Sequence, residues 1–182
     1  PGGIELRDHP TLKPAKLWLA NVHGLMNAVL DEVDALGPTL YHGAGAGSEP
    51  TASAVVADII DVSRSLDNPQ SSRVPYLAFH EHTLSNDAIV PIEEVETAFY
   101  LRIEAVDQPG VLSRIARIVS DAGISIEALI QKAPQQGAET VPLIMLTHRA
   151  HEGTLRQAAR DIEALDTVIG SVVFIRVEAL DG

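Results

Sequence analysis

Two stretches of the chain combine residue types able to hold a small molecule. In Asp107-Gln108-Pro109-Gly110-Val111-Leu112 an alternating apolar segment passes directly into a helical one. Backbone N–H groups at a helix start, with the positive end of the helix dipole, favour a carboxylate, and Gly110 admits a ligand close to the backbone. Asp107 beside them suits an ammonium group, so the turn has the chemistry of an amino-acid site. The same residues equally describe a well-capped strand-to-helix turn with no ligand. The second stretch is Gly43-Ala44-Gly45-Ala46-Gly47 followed by Pro50-Thr51-Ala52-Ser53. Glycines let a backbone approach a flat ring, and a helix starting near Thr51 turns its N-terminus toward the same place. Alternating Gly and Ala alone also suits a plain strand end.

Other chemistry is scarce. His80-Glu81-His82 puts two imidazoles at i and i+2, but no other ligands complete a coordination shell, so it reads as solvated surface and no metal site is expected. His9, His23, His42, His148 and His151 are scattered and read as structural or exposed. With no cysteine, neither a thiolate zinc site nor a disulfide framework can form, which fits a reducing, cytoplasmic setting.

The elements that must position these stretches follow from length and pattern. A chain of 182 residues, 46% of them hydrophobic, can build one ordinary core or two small ones. Thirteen Lys and Arg against 25 Asp and Glu give a net charge of −12, the wrong sign for nucleic acid or an anionic membrane. No run of ~18 apolar residues is present, so no membrane span is expected. The start at Pro1-Gly2-Gly3, without Met or a targeting segment, reads as the later part of a longer chain.

Residues 1–65 hold strand-like pieces at 4–6, 17–22, 28–33 and 39–42, then a helix from Thr51 to about Arg64 with Val55, Val56, Ile59, Ile60 and Val62 on one face. Residues 66–96 read as a linker, broken by Pro69, Pro75 and Pro91, with a possible short strand at 76–79. From 97 to 182 the order is regular. Phe99, Leu101, Ile103 and Ala105 alternate as a strand, and a helix starts at Pro109 and stops at Gly123. A second strand carries Ile124, Ile126, Ala128 and Ile130. A turn at 134–137 leads to a third strand over 141–147, then a helix through Leu155, Ala158, Ala159, Ile162 and Leu165, and a fourth strand over 167–177. This α+β order, βαββαβ, predicts a ferredoxin-like antiparallel sheet with both helices on one face. Tyr100, Leu129, Ile144 and Leu146 fall on the opposite phase, which implies a partner face and a homo-oligomer.

Residues 97–131 also resemble a known family. Tyr-Leu-Arg-Ile at 100–103, Asp-Gln-Pro-Gly-Val-Leu at 107–112, Ile-Ser-Ile at 124–126 and Gln131 are similar to the ACT domain, a βαββαβ module that binds amino acids and regulates metabolic enzymes, in the form that ends bacterial homoserine dehydrogenases. The first half resembles the same enzymes. It carries His9-Pro10-Thr11-Leu12, Asn27-Ala28-Val29, Gly37, the glycine turn and Pro50-Thr51-Ala52-Ser53 in the family's order. It departs from the pattern at 16–20 and at Val33-Asp34, where local geometry is at stake. The resemblance implies the end of a substrate domain over 1–65, a linker over 66–96 and a regulatory ACT domain over 97–182. It implies NADP or NAD as cofactor, with Gly47 in contact and Gly45, Glu49 and Thr51 nearby. It implies an effector, threonine first, at Asp107, Gly110, Val111, Leu112 and Gln131, and a place in threonine and methionine biosynthesis. The family's dinucleotide fingerprint and its catalytic Lys and Asp have no counterpart here, since Lys13, Lys16 and Lys132 do not fall on that motif. No catalytic residue is therefore assigned, and the fragment alone is expected to be inactive. A stand-alone amino-acid sensor and a pure oligomerisation module are the other readings.

Overall fold

The computed structural model describes residues 3–66, 79, 81–131 and 139–178. Contacts divide the chain into two units: residues 1–14 with 87–182, and residues 15–86.

The larger unit is built on β4 (Glu96–Val106), α2 (Val111–Asp121), β5 (Ile126–Gln131), β6 (Thr140–Thr147), α3 (Glu152–Glu163) and β8 (Val173–Val177), with the short β7 (Ala150–His151) pairing to the start of β4. The sheet order is β8-β4-β6-β5, with every one of these pairs antiparallel, which is the ferredoxin-like arrangement expected from the sequence. Phe99, Leu101, Ile103 and Ala105 of β4 and Val141, Leu143 and Met145 of β6 point to one side. There they meet Val111, Ile115 and Val119 of α2 and Leu155, Ala158 and Ile162 of α3 in a single core. Period 2 on the strands and period 3.6 on the helices bring these side chains to one layer, and each large one fully buried contributes ~1.5–3 kcal/mol.

One charged group sits among them. Glu152, the first residue of α3, is fully buried and receives Arg156 Nε at 2.9 Å, Arg156 Nη2 at 2.6 Å and Arg176 Nε at 2.7 Å. Its own N–H donates to the Val95 carbonyl at 2.9 Å. Burial pushes the carboxyl up, but hydrogen bonds from Arg176 and Arg156, with their charges, more than offset this and hold it below the usual carboxylate value. Arg156 also lies 5.4 Å over the Phe174 ring.

The N-terminal residues belong to this unit. β1 (Thr11–Leu12) runs parallel to β8, with Thr11 opposite Arg176 and Leu12 opposite Val177, and Lys13 Nζ meets Glu178 at 3.2 Å. Ile4, expected in a strand over 4–6, forms an isolated bridge to Ile89.

The smaller unit holds a hairpin, β2 (Met26–Val33) with β3 (Gly37–Ala44), and α1 (Ser48–Leu66). None of its described residues is buried.

Four sequence expectations are corrected. Residues 17–22 are not a strand: Trp18–Asn21 is a 3-10 turn, because the Asn21 amide donates to the Ala15 and Leu17 carbonyls at 2.9 and 2.8 Å and closes the segment locally. The fourth strand begins at Val173, not 167, since the left-handed Gly170 (φ +74°) separates it from the lone bridge Ala105–Val168. Helix α2 begins at Val111, because Gly110 before it is left-handed (φ +88°). Finally, a bulge between Ile126 and Ala128 reverses the faces of β5: Leu129 pairs with Met145 on the core side, while Ala128 and Ile130 join Leu146 and Ile144 on the open side. The possible strand at 76–79 and the turn at 134–137 lie largely or wholly outside the described residues.

Candidate functional site

The strand-to-helix turn of the larger unit frames a shallow cleft of about 20 Å³. Its floor is the apolar end of the core, Ala105, Val111, Val141 and Leu143, and its rim carries Asp107, Gln108, Leu112 and Gln131. Four of the five expected effector residues therefore line one cleft: Asp107, Val111, Leu112 and Gln131. The fifth, Gly110, stands in the turn beside them and gives the chain its change of direction.

The rim is internally bonded. Gln131 Nε2 donates to Asp107 Oδ1 at 3.2 Å, tying the end of β5 to the end of β4. The Val111 N–H, expected to face a carboxylate, instead donates to the Gln108 carbonyl at 3.3 Å. Among the described residues no hydrogen bond occupies the N–H groups of Leu112 and Ser113. These are the orphan donors every helix start leaves, so Ser113 replaces Val111 among the groups able to receive an anion. Sequence reading missed Ser113 because the residue that begins the helix was displaced by two.

The glycine turn of the smaller unit follows β3 and enters α1. Gly45, Gly47, Glu49 and Thr51, the four expected cofactor-facing residues, are all exposed. Gly47 adopts φ +123°, open to glycine and strained for other residues, and its carbonyl accepts the Thr51 N–H at 3.2 Å. Helix α1 starts at Ser48, three residues before the sequence suggested, so Glu49 and Thr51 both lie within its first turn. A negative side chain there is favoured by the dipole. The turn thus offers open backbone beside a helix start, which fits a flat polar ring and has no acid–base group of its own beyond Glu49.

No group of three or more His, Asp and Glu among the described residues is placed to hold a metal ion, and His80 of the His-Glu-His trio lies outside them. No helix among the described residues is long and apolar enough to cross a membrane.

The comparisons with known proteins cover both units. Residues 2–60 match the homoserine dehydrogenase family model and residues 99–167 the ACT domain model. A homoserine dehydrogenase of Pseudomonas aeruginosa is 52% identical over 98% of this chain and 41% of its own length. One from Neisseria gonorrhoeae is 48% identical, again over 98% of this chain and 41% of its own. The crystal structure of a homoserine dehydrogenase from Thiobacillus denitrificans superposes with a TM-score of 0.86 at 54% identity, covering 98% of this chain and 40% of that one. The chain therefore spans about two fifths of the length of the relatives it matches, and it is similar to homoserine dehydrogenases along nearly all of its own.

Proposed function

We propose that this chain forms part of a homoserine dehydrogenase, which interconverts aspartate semialdehyde and homoserine with NADP or NAD, and that residues 97–182 regulate it as an amino-acid-binding ACT domain. The observation that carries the reading is the 52% identity that runs through both units and not through the ACT region alone. That continuity favours an enzyme segment over a stand-alone sensor.

On this reading residues 1–65 end the substrate domain and 66–96 link it to the regulatory domain. When bound, the nicotinamide supplies the hydride chemistry. The part played by this chain is to present the exposed backbone at Gly45 and Gly47, with Glu49 and Thr51 of the first turn of α1, to that ring. Proton transfer falls to no residue named here. The effector is a small amino acid, threonine first. Its carboxylate meets the free N–H groups of Leu112 and Ser113, its ammonium meets Asp107, and its hydroxyl meets Gln131, which would exchange its bond to Asp107 for one to the ligand. Copies of the chain associate through the open sheet face carrying Ile130, Ile144 and Leu146. The setting is cytoplasmic threonine and methionine biosynthesis.

Two assays test the reading. A dehydrogenase that contains this sequence is expected to reduce aspartate semialdehyde with NADPH or NADH, and the 182-residue chain by itself is expected not to. Absence of turnover in the former, or turnover by the latter freed of host enzyme, would overturn it. Calorimetry on the chain with millimolar threonine is expected to show binding that Gly110→Glu abolishes. Valine, which cannot satisfy the Gln131 amide, is expected to bind ~1–3 kcal/mol more weakly. Equal affinity for the two amino acids would rule out a hydroxyl-reading site.

A further inference from the structure

We infer that residues 4–13 are a reversible strap on the larger unit, whose docking against β8 is coupled to occupancy of the cleft at Asp107. The inference rests on the reading of that cleft as the effector site and adds the route by which its occupancy reaches the rest of the chain.

The strap is held at two places. Near its start the Ile4 N–H donates to the Ala88 carbonyl and the Val90 N–H to the Ile4 carbonyl, both at 3.0 Å. Near its end Thr11 and Leu12 pair with Arg176 and Val177, and the Glu178 N–H donates to the Leu12 carbonyl at 3.0 Å. Lys13 Nζ closes this end on Glu178 Oε2 at 3.2 Å. Both places lie beside the points where the chain passes between its units, since residue 14 is the last of the larger unit before the smaller and residue 87 the first after it. A segment that holds 88–90 at one end and leads into residue 15 at the other therefore governs both crossings.

Its hold is light. Ile4, Leu6 and Leu12 stay exposed, so little apolar burial secures it. A two-residue edge pairing with one partly exposed ion pair belongs to the low end of local stability in a fold, and it can open while the core stays closed.

The connection to the cleft is continuous backbone. Ala105, Val106 and Asp107 line the cleft at the end of β4. Beside them the Val106 N–H donates to the Thr167 carbonyl at 2.9 Å and the Ile169 N–H to the Glu104 carbonyl at 2.8 Å. At the start of β4, Ala98 and Phe99 pair with Val177 and Arg176, and the Thr97 hydroxyl donates to the Val177 carbonyl at 3.2 Å. Residues 167–177 thus run beside β4 from the cleft to the strap, and Arg176 and Val177 are the same two residues that receive Thr11 and Leu12. Arg176 also holds the buried Glu152, which ties this edge to α3. A ligand that fixes the end of β4 fixes the edge on which the strap docks, and linkage makes the effect mutual.

Hydrogen exchange and calorimetry on the 182-residue chain, with threonine as the probe, test this. Saturating threonine is expected to slow exchange of the Ile4, Val90 and Glu178 amides about fivefold. Lys13→Glu, which sets a like charge against Glu178, is expected to free those amides, leave the β4 and β6 amides protected, and weaken threonine by about the same factor. The double variant Lys13→Glu with Glu178→Lys is expected to restore both. Should Lys13→Glu leave the strap docked, Leu12→Pro, which removes a strand N–H, makes the same test. Threonine heat with no change in strap exchange, or wild-type affinity with the strap undocked, overturns the inference and leaves the effector reading standing. No heat from threonine removes that reading and the inference with it. In the dehydrogenase that contains this sequence, Lys13→Glu is expected to keep turnover without threonine and to lose most of the response to it. A wild-type response there overturns the strap as the route.

Discussion

The two units spend the same kind of residue differently. In the larger, every strongly apolar position of β4 and β6 on one phase is buried, and the core from Val95 to Val172 closes within the unit. In the smaller, Val55, Ile59, Val62 and Leu66 fall on one stripe of α1 at i, i+4, i+7 and i+11, and all four are more than half exposed. Val29 and Tyr41, cross-strand partners in the hairpin, are exposed as well. An amphipathic pattern thus reports that a face is made to be covered, and says nothing about whether the cover lies in the same chain. A two-stranded hairpin is marginal by itself, and with none of the described residues of the smaller unit buried, packing within the unit adds little to it.

The comparison breaks most visibly if the units are expressed apart. Residues 15–86 alone are expected to show no cooperative thermal transition by circular dichroism, while the 182-residue chain shows one arising from the larger unit. A sharp transition in 15–86 would mean that the unit closes a core of its own.

A matched pair of substitutions sharpens the contrast. Ile103→Ala, at a fully buried site, is expected to cost ~2–5 kcal/mol in urea unfolding of the chain. Ile59→Ala, 59% exposed on α1, is expected to change it by no more than ~0.5 kcal/mol. In a dehydrogenase that covers α1, the second value should rise toward the first. Equal small costs in both proteins would mean that α1 stays uncovered.

Next in size is Glu152. Removing its carboxylate leaves Arg176 nearly buried without a partner, while Arg156 is 41% exposed and can turn to solvent, so Glu152→Ala is expected to cost ~3 kcal/mol, the low end for a broken buried pair. Because the folded carboxyl is held below its ordinary value, its contribution is complete above the normal carboxylate range and is lost as pH falls through the folded pKa. Urea midpoints of wild type and Glu152→Ala are expected to converge in acid and stand apart at neutral pH. A constant gap would place the effect in packing.

Most of the larger unit was legible because its signals are local and repeated: alternation over β4 and β6, and helical stripes in α2 and α3. What escaped depends on single residues acting across the chain. One extra residue at the bulge near Glu127 moved Leu129 to the core and Ile130 to the open face, and periodicity alone counts no insertions. Glu152 drew no reading from the sequence, since its guanidinium partner Arg176 lies 24 residues away. The cleft residues were legible from Asp107, Gly110 and Gln131, whereas the free Ser113 amide required the true first residue of α2. At the glycine turn the residues were contiguous and easily found, while the helix that follows starts at Ser48, three residues ahead of the Thr51 that the apolar stripe suggested.

The parallel pairing of β1 with β8 has a consequence for how this protein is handled. A strand at the rim of a sheet offers unpaired backbone groups to any other chain, and such edges seed aggregation unless blunted. The two residues Thr11 and Leu12 cover part of the outer rim of β8, and at the opposite rim β5 is interrupted by its bulge. A truncation that begins at residue 87, although it keeps the whole βαββαβ order, strips the first of these guards and leaves the β8 rim bare beside the exposed Val173.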